Sequence, residues 1–252
     1  MLVDPGRTQY DLNFRLFGVP VRVHPMFWLL CLLLGFTYLR FGDTPRFLIF
    51  TLCAIVSLLV HEFGHVGAMR YFGVRSSVLL YSFGGLAIPQ GGSYRSRGEH
   101  IIVSLAGPAA GFLLFGIVHV LLFFSQIDWK QQGEYLYFAV DRLWLINLVW
   151  NCLNLIPVFP LDGGQVSKEV MCSISRRNGE RNAYLLSFII GAAAAIYGLL
   201  VYLGIDLLPW LPVGGLWTAI LFGMLAYQSY VLYQHTQRRG SHWRSDDRLP
   251  WE

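Results

Sequence analysis

Six long apolar runs alternate with polar segments along the chain, at roughly 25–41, 47–72, 101–125, 138–157, 183–204 and 214–234. Each run is long enough to cross about 30 Å of hydrocarbon as a helix. Helices also satisfy every backbone N–H and C=O internally, as lipid requires. The pattern therefore predicts an all-α polytopic membrane protein with about six transmembrane helices. Polar punctuation sets the connections. Gly42-Asp43-Thr44-Pro45 reads as a turn. Leu161 to Asn182 reads as a polar loop with room for a short interfacial helix, and Pro209 and Pro212 mark the link between the last two runs. Gly73 to Gly98 is too polar and too Gly-rich to span. Its stretch VRSSVLLYSFGGLAIPQGGSY mixes β-branched and aromatic residues with Gly and Pro, which predicts a membrane-associated β-hairpin or loop after the second span. The expected organisation is an N-terminal cytoplasmic arm over 1–24, a six-span membrane domain over 25–234 and a cytoplasmic tail over 235–252.

Composition supports the membrane assignment. Of the 252 residues, 55% are hydrophobic and 13% charged, about half the charge of a typical soluble domain. The first 24 residues, with Asp4, Arg7, Asp11, Arg15 and Arg22, have no apolar centre and do not read as a cleavable leader. Cys31, Cys53, Cys152 and Cys172 show no CxxC spacing, and three of them lie in apolar runs as small hydrophobes. The net charge of +4 is distributed by topology, so no nucleic-acid partner is expected. With the N-terminus inside, 15 of the 19 Lys and Arg fall on the inner side and 4 on the outer side. That asymmetry predicts an even number of spans with both termini cytoplasmic.

One apolar run carries titratable groups that are costly there. In LLVHEFGHVGAM, His61, Glu62 and His65 form an H-E-x-x-H pattern. Residues i and i+4 share one helix face, so both imidazoles can reach one zinc ion, with Glu62 close enough to touch a water on it. The chance expectation for the pattern in this composition is roughly 0.005. A lone Glu at that depth costs about 2.5–3.5 kcal/mol on the insertion scale, which a dication and a water cavity would offset. Catalytic zinc sites take three protein ligands and leave one position open. Inner-side topology leaves Glu99, His100, Asp162 and Glu169 as candidates for the third. Asp162 follows NLVWNCLNLIPVFPLDGGQ, where Pro157 and Pro160 break the helix; on spacing alone it is equally well a turn residue.

The chain resembles the site-2 protease family of intramembrane zinc metalloproteases. The resemblance rests on HEFGH at 61–65 and on Asn154-Leu-Ile-Pro157-Val-Phe-Pro160-Leu161-Asp162-Gly163, and extends over roughly residues 20–235. It implies that His61, His65 and Asp162 ligate zinc and that Glu62 is the catalytic glutamate. It also supports a substrate-positioning role for Asn154, whose amide could otherwise bond a neighbouring helix. Phe83-Gly84-Gly85 resembles the family's Gly-containing segment near the substrate. Ser104-Leu-Ala-Gly107-Pro108 resembles its Gly-Pro motif on the third span. Many relatives have Asn shortly after that Pro, where this chain has Gly111. Gly107 and Gly111 are read here as a close-packing G-x-x-x-G pair, and Asn147 and Asn151 stay open as helix-bonding amides.

The expected function is an intramembrane zinc metalloprotease, cutting membrane-embedded or membrane-proximal protein substrates near the cytoplasmic side in regulated intramembrane proteolysis. A single-span membrane protein is the expected substrate and the lipid bilayer the expected surroundings. The lack of length for an appended soluble domain leaves room for a regulatory membrane partner. The expected location is a prokaryotic inner or plasma membrane. The alternatives are a zinc-binding, non-hydrolytic membrane scaffold and a channel or transporter built on a polar intramembrane cluster. Glu62 favours the enzyme, since a scaffold needs no base.

Overall fold

The structure is a computed structural model that describes residues 6–82, 84–91, 94, 96–124, 129, 131–205 and 214–246. Among the described residues, seven helices and four strands follow one another as β1 (Leu12–Leu16), β2 (Val19–Val23), α1 (Pro25–Arg40), α2 (Thr44–Tyr71), β3 (Ser76–Tyr81), β4 (Gly84–Pro89), α3 (Arg97–Phe124), α4 (Glu134–Asn154), α5 (Asp162–Ile174), α6 (Gly179–Tyr202) and α7 (Leu216–Asp246). The chain divides into two compact units, 1–154 and 155–252.

Helix ends follow local chemistry. His24 caps α1, its Nδ1 accepting from the Met26 N–H at 3.2 Å with Pro25 in the first turn. Asp43 caps α2 in the same way through the Arg46 N–H. Both residues satisfy amides that a helix start leaves unpaired. Gly42 and Gly73, at φ +74° and +76°, reverse the chain after α1 and α2. In each case the glycine N–H and the next N–H reach back to carbonyls of the last turn: Gly42 to Leu39 and Asp43 to Tyr38, Gly73 to Arg70 and Val74 to Met69. A left-handed φ after the cap is what that closure requires.

Among the described residues, four helices are long and apolar enough to cross a membrane: α2, α3, α6 and the Leu216–Gln237 part of α7. Two of the expected spans fall short of that standard among the described residues. Helix α1 has only 16 residues, about 24 Å of rise. Helix α4 has 21 residues but carries Glu134, Asp141, Arg142 and three asparagines.

The expectation of an all-α chain is incomplete. A four-stranded sheet runs in the order β1-β2-β3-β4, antiparallel at β1–β2 and β3–β4 and parallel at β2–β3, with Val21 opposite Val78. The hairpin after α2 is present as β3–β4. The N-terminal arm supplies the other two strands. Their signal is period-two alternation: Val19, Val21 and Val23 are buried, and they pack with Val78 and Leu80 against Phe27 and Cys31 of α1 and Leu58 and Val66 of α2. Pro20 and Arg22 alternate with those valines. The 161–182 segment contains more helix than a loop, since α5 occupies 13 residues of it.

Candidate metal centre

Helix α2 places Ser57, Leu58, His61, Glu62, His65 and Val66 on its buried side. His61, Glu62 and His65 are only 2%, 3% and 7% exposed. The two imidazoles meet at their Nε2 atoms, 3.2 Å apart. Each turns Nδ1 away to a partner: His65 to the Val103 carbonyl of α3 at 2.7 Å, His61 to Asn151 Oδ1 of α4 at 2.8 Å. A carbonyl only accepts, so His65 Nδ1 carries hydrogen. Asn151 Nδ2 donates to the Asn147 carbonyl, so its oxygen faces His61, and His61 Nδ1 carries hydrogen too. Neutral rings in these tautomers direct two Nε2 lone pairs at one point.

That arrangement suits a cation. Two nitrogens held about 2.05 Å from one tetrahedral ion lie about 3.3 Å apart, close to the separation observed. A hydrogen bond between the same atoms would require a second hydrogen on one ring, since both Nδ1 atoms already carry theirs. The donor set of the first unit therefore fits zinc.

Glycines make this crowding feasible. A β-carbon on Gly107 of α3 would fall on the His65 ring, one on Gly111 on the Asn151 amide, and one on Gly85 of β4 on the Glu62 carboxylate. At Gly64 a β-carbon would strike the Ala106 carbonyl, so α2 and α3 approach backbone to backbone there. Gly107 and Gly111, read from sequence as a packing pair, thus clear space for polar side chains of other helices. Tyr81, at the end of β3, is 4% exposed. Burial, followed by the charge of Glu62, raises its phenol above its ordinary pKa.

The remaining expected residues are distributed as follows. Asn154 ends α4, is 8% exposed and donates its Nδ2 to the Trp150 carbonyl of its own helix. Gly84 and Gly85 open β4, with the Trp150 ring edge against Gly84. Phe83 lies outside the described residues. Asp162 is the first residue of α5, in the second unit. Backbone contact fixes that helix start locally: β-carbons on Gly163 and Gly164 would overlap the Leu155 carbonyl and the Val158–Phe159 backbone. Glu99 and His100 stand in the first turns of α3, where the His100 ring meets Tyr94 edge-on at 4.4 Å. Glu169 lies along α5 beside Lys168. Asn151 is the residue that sequence reading left undecided. Its sequence signal was its four-residue spacing from Asn147 on the run that leads to Asp162.

Residues 49–144 and 131–198 match peptidase family M50. The chain belongs to that family. The Synechocystis protein sll0528 is 33% identical over 230 residues, covering 85% of this chain and 57% of its own length. A zinc metalloprotease of Methanocaldococcus jannaschii is 30% identical over 194 residues, 74% of this chain and 52% of its own. The chain spans about half the length of these curated relatives. Among solved structures, a site-2 protease from Methanocaldococcus jannaschii superimposes with a TM-score of 0.56 at 22% identity, covering 91% of this chain and 94% of that one. The M50 assignment agrees with the resemblance to site-2 proteases carried by the two motifs.

Proposed function

We propose that the chain is an intramembrane zinc metalloprotease of the site-2 type, hydrolysing peptide bonds of membrane-embedded or membrane-proximal proteins near the cytoplasmic face. The observation that carries this reading is the pair of α2 imidazoles with converging Nε2 atoms and a buried glutamate one residue from His61. Family membership and the naming of a relative as a zinc metalloprotease support it.

His61, His65 and Asp162 would hold the ion; for Asp162 the support is the Leu-Asp-Gly motif and its place at a helix start just after a Pro-broken segment. Bound zinc would lower the pKa of a water toward about 7 and polarise the scissile carbonyl. Glu62 takes the proton of the attacking water and passes it to the departing amine. The Gly85 backbone confines that carboxylate from one side. Asn154 offers an amide to the substrate carbonyl, and the Phe83-Gly84-Gly85 turn bounds the substrate's path.

A helical substrate hides its amides, so it must be extended before a carbonyl is accessible. Strand β4 pairs with β3 alone among the described residues and leads from Gly84 and Gly85, the latter beside Glu62. It can therefore accept a substrate segment as an added strand. Because β3 is an interior strand, proline at Val78 to Leu80 would disrupt the sheet itself. Proline within β4 is the more selective probe.

The six-span arrangement, with α1 and α4 completing the four stronger spans, and cytoplasmic termini in a prokaryotic inner or plasma membrane, rest on the Lys and Arg asymmetry. Single-span membrane proteins are the proposed substrates in regulated intramembrane proteolysis, with a regulatory membrane partner supplying control. The test is co-expression with a panel of single-span candidates, comparing the native chain with Glu62→Gln. Cleavage should require Glu62 while zinc content stays equal. Equal cleavage by both chains would remove Glu62 from its role.

A further inference from the structure

Two polar rungs join α2 to α4 within the first unit. His61 meets Asn151, and one turn away Ser57 meets Asn147. Members of each helix are four residues apart, so the rungs stack on facing surfaces. Ser57, Asn147 and Asn151 are each only 1% exposed. Asn147 donates to Ser57 Oγ at 2.9 Å and to the Leu143 carbonyl at 2.8 Å. Its own carbonyl accepts from Asn151 Nδ2. This leaves Asn151 one orientation, with its amide oxygen toward the imidazole. The amide lies where a β-carbon at 111 would be, so glycine on α3 is a condition of the arrangement.

We propose that Asn151, oriented by the Asn147 backbone carbonyl and accommodated by Gly111, is a positioning residue that fixes the His61 tautomer, with hydrogen on Nδ1 and the Nε2 lone pair turned toward His65 Nε2. The proposal rests on the zinc reading of the site. An imidazole presents one acceptor nitrogen when neutral, and the partner of the other nitrogen decides which. His65 has its tautomer set by a backbone carbonyl, which no substitution removes directly. His61 depends on a side chain, so its half of the site is genetically adjustable. Outer partners of metal-bound histidines typically change affinity by about 10–100-fold.

The test compares the full chain in detergent with Asn151→Leu, Asn151→Asp and Gly111→Ala. In metal-free protein with 15N-labelled histidine, His61 should carry hydrogen on Nδ1. The leucine variant should give mixed tautomers. Zinc affinity, measured by chelator competition, should fall about 10–100-fold in the leucine and Gly111→Ala variants. Asn151→Asp keeps the acceptor and should recover most of the loss. An unchanged tautomer and affinity in the leucine variant would overturn the proposal. So would an aspartate variant as defective as the leucine one. Gly111→Ala removes no polar group, so it decides the matter should the leucine variant fail to fold. If the native chain took up no zinc, the protease reading would fail, yet the tautomer spectra would still judge Asn151.

Discussion

Two helix pairs in this molecule rely on glycine, for different reasons. Between α6 and α7 of the second unit, a β-carbon at Gly191 would sit 3.2 Å from the Ala226 β-carbon, and one at Gly198 would sit 2.6 Å from the Ala219 nitrogen. There the small residues let backbones approach, as in membrane helix packing generally. Between α2 and α3 only Gly64 has that role. Gly107 gives room to the His65 ring and Gly111 to an amide arriving from α4. The same residue type thus serves adhesion in one pair and preorganisation in the other. Spacing alone does not separate the two uses; the identity of the group filling the gap does.

This contrast can be broken experimentally. The reference and largest effect is Glu62→Gln, expected to lower cleavage by about 10²–10⁴-fold while leaving bound zinc unchanged. Gly85→Ala should follow, lowering turnover by roughly tenfold or more with zinc retained, because the new methyl group displaces the Glu62 carboxylate. Gly107→Ala should instead weaken zinc binding by about tenfold or more, read by chelator competition, since the imidazole must move. Gly198→Ala should leave zinc affinity intact and lower thermal stability by about 1–3 kcal/mol through overpacking. Should Gly198→Ala release zinc as readily as Gly107→Ala does, the distinction between the two glycine uses would collapse.

The smallest expected effect lies in the N-terminal sheet. Hydrogen bonding from the Thr8 hydroxyl, aided by its backbone N–H and by Arg22 and His24, holds the Asp11 carboxyl below its ordinary 3.8. A lowered folded-state pKa stabilises the fold above the unfolded value, and the contribution is lost as pH falls through the folded value. The protection of amides over 12–23, after correction for the intrinsic pH dependence of exchange, should therefore fall in acid, from about pH 4 downward. Asp11→Asn should abolish that dependence.

Helix positions were legible in the sequence because apolar length is a coarse signal. The break after α4 was legible because Pro157 and Pro160 cannot continue a helix, and the helix does end at Asn154. The zinc motif was legible because its two imidazoles are local, four residues apart on one helix. What sequence obscured was non-local. Strands β1 and β2 alternate clearly, but their arginines dominate the pattern, and β2 finds its second partner, β3, only beyond two helices. The role of Asn151 depended on which nitrogen of a residue 90 positions away it would face. Gly111, which has no side chain to read, is the space that lets an amide from α4 take the place.

The parallel pairing of β2 with β3 also has a consequence for biosynthesis. Strand β2 can pair with β1 at once but gains its second partner late, because Ser76 to Tyr81 emerges only after both α1 and α2 have been made. Until then the N-terminal hairpin must wait, and its valines are open to wrong associations. Trimming the chain past Val23 would do more than remove an arm. It would leave the Val78–Leu80 strand with a raw border, open to docking by another copy.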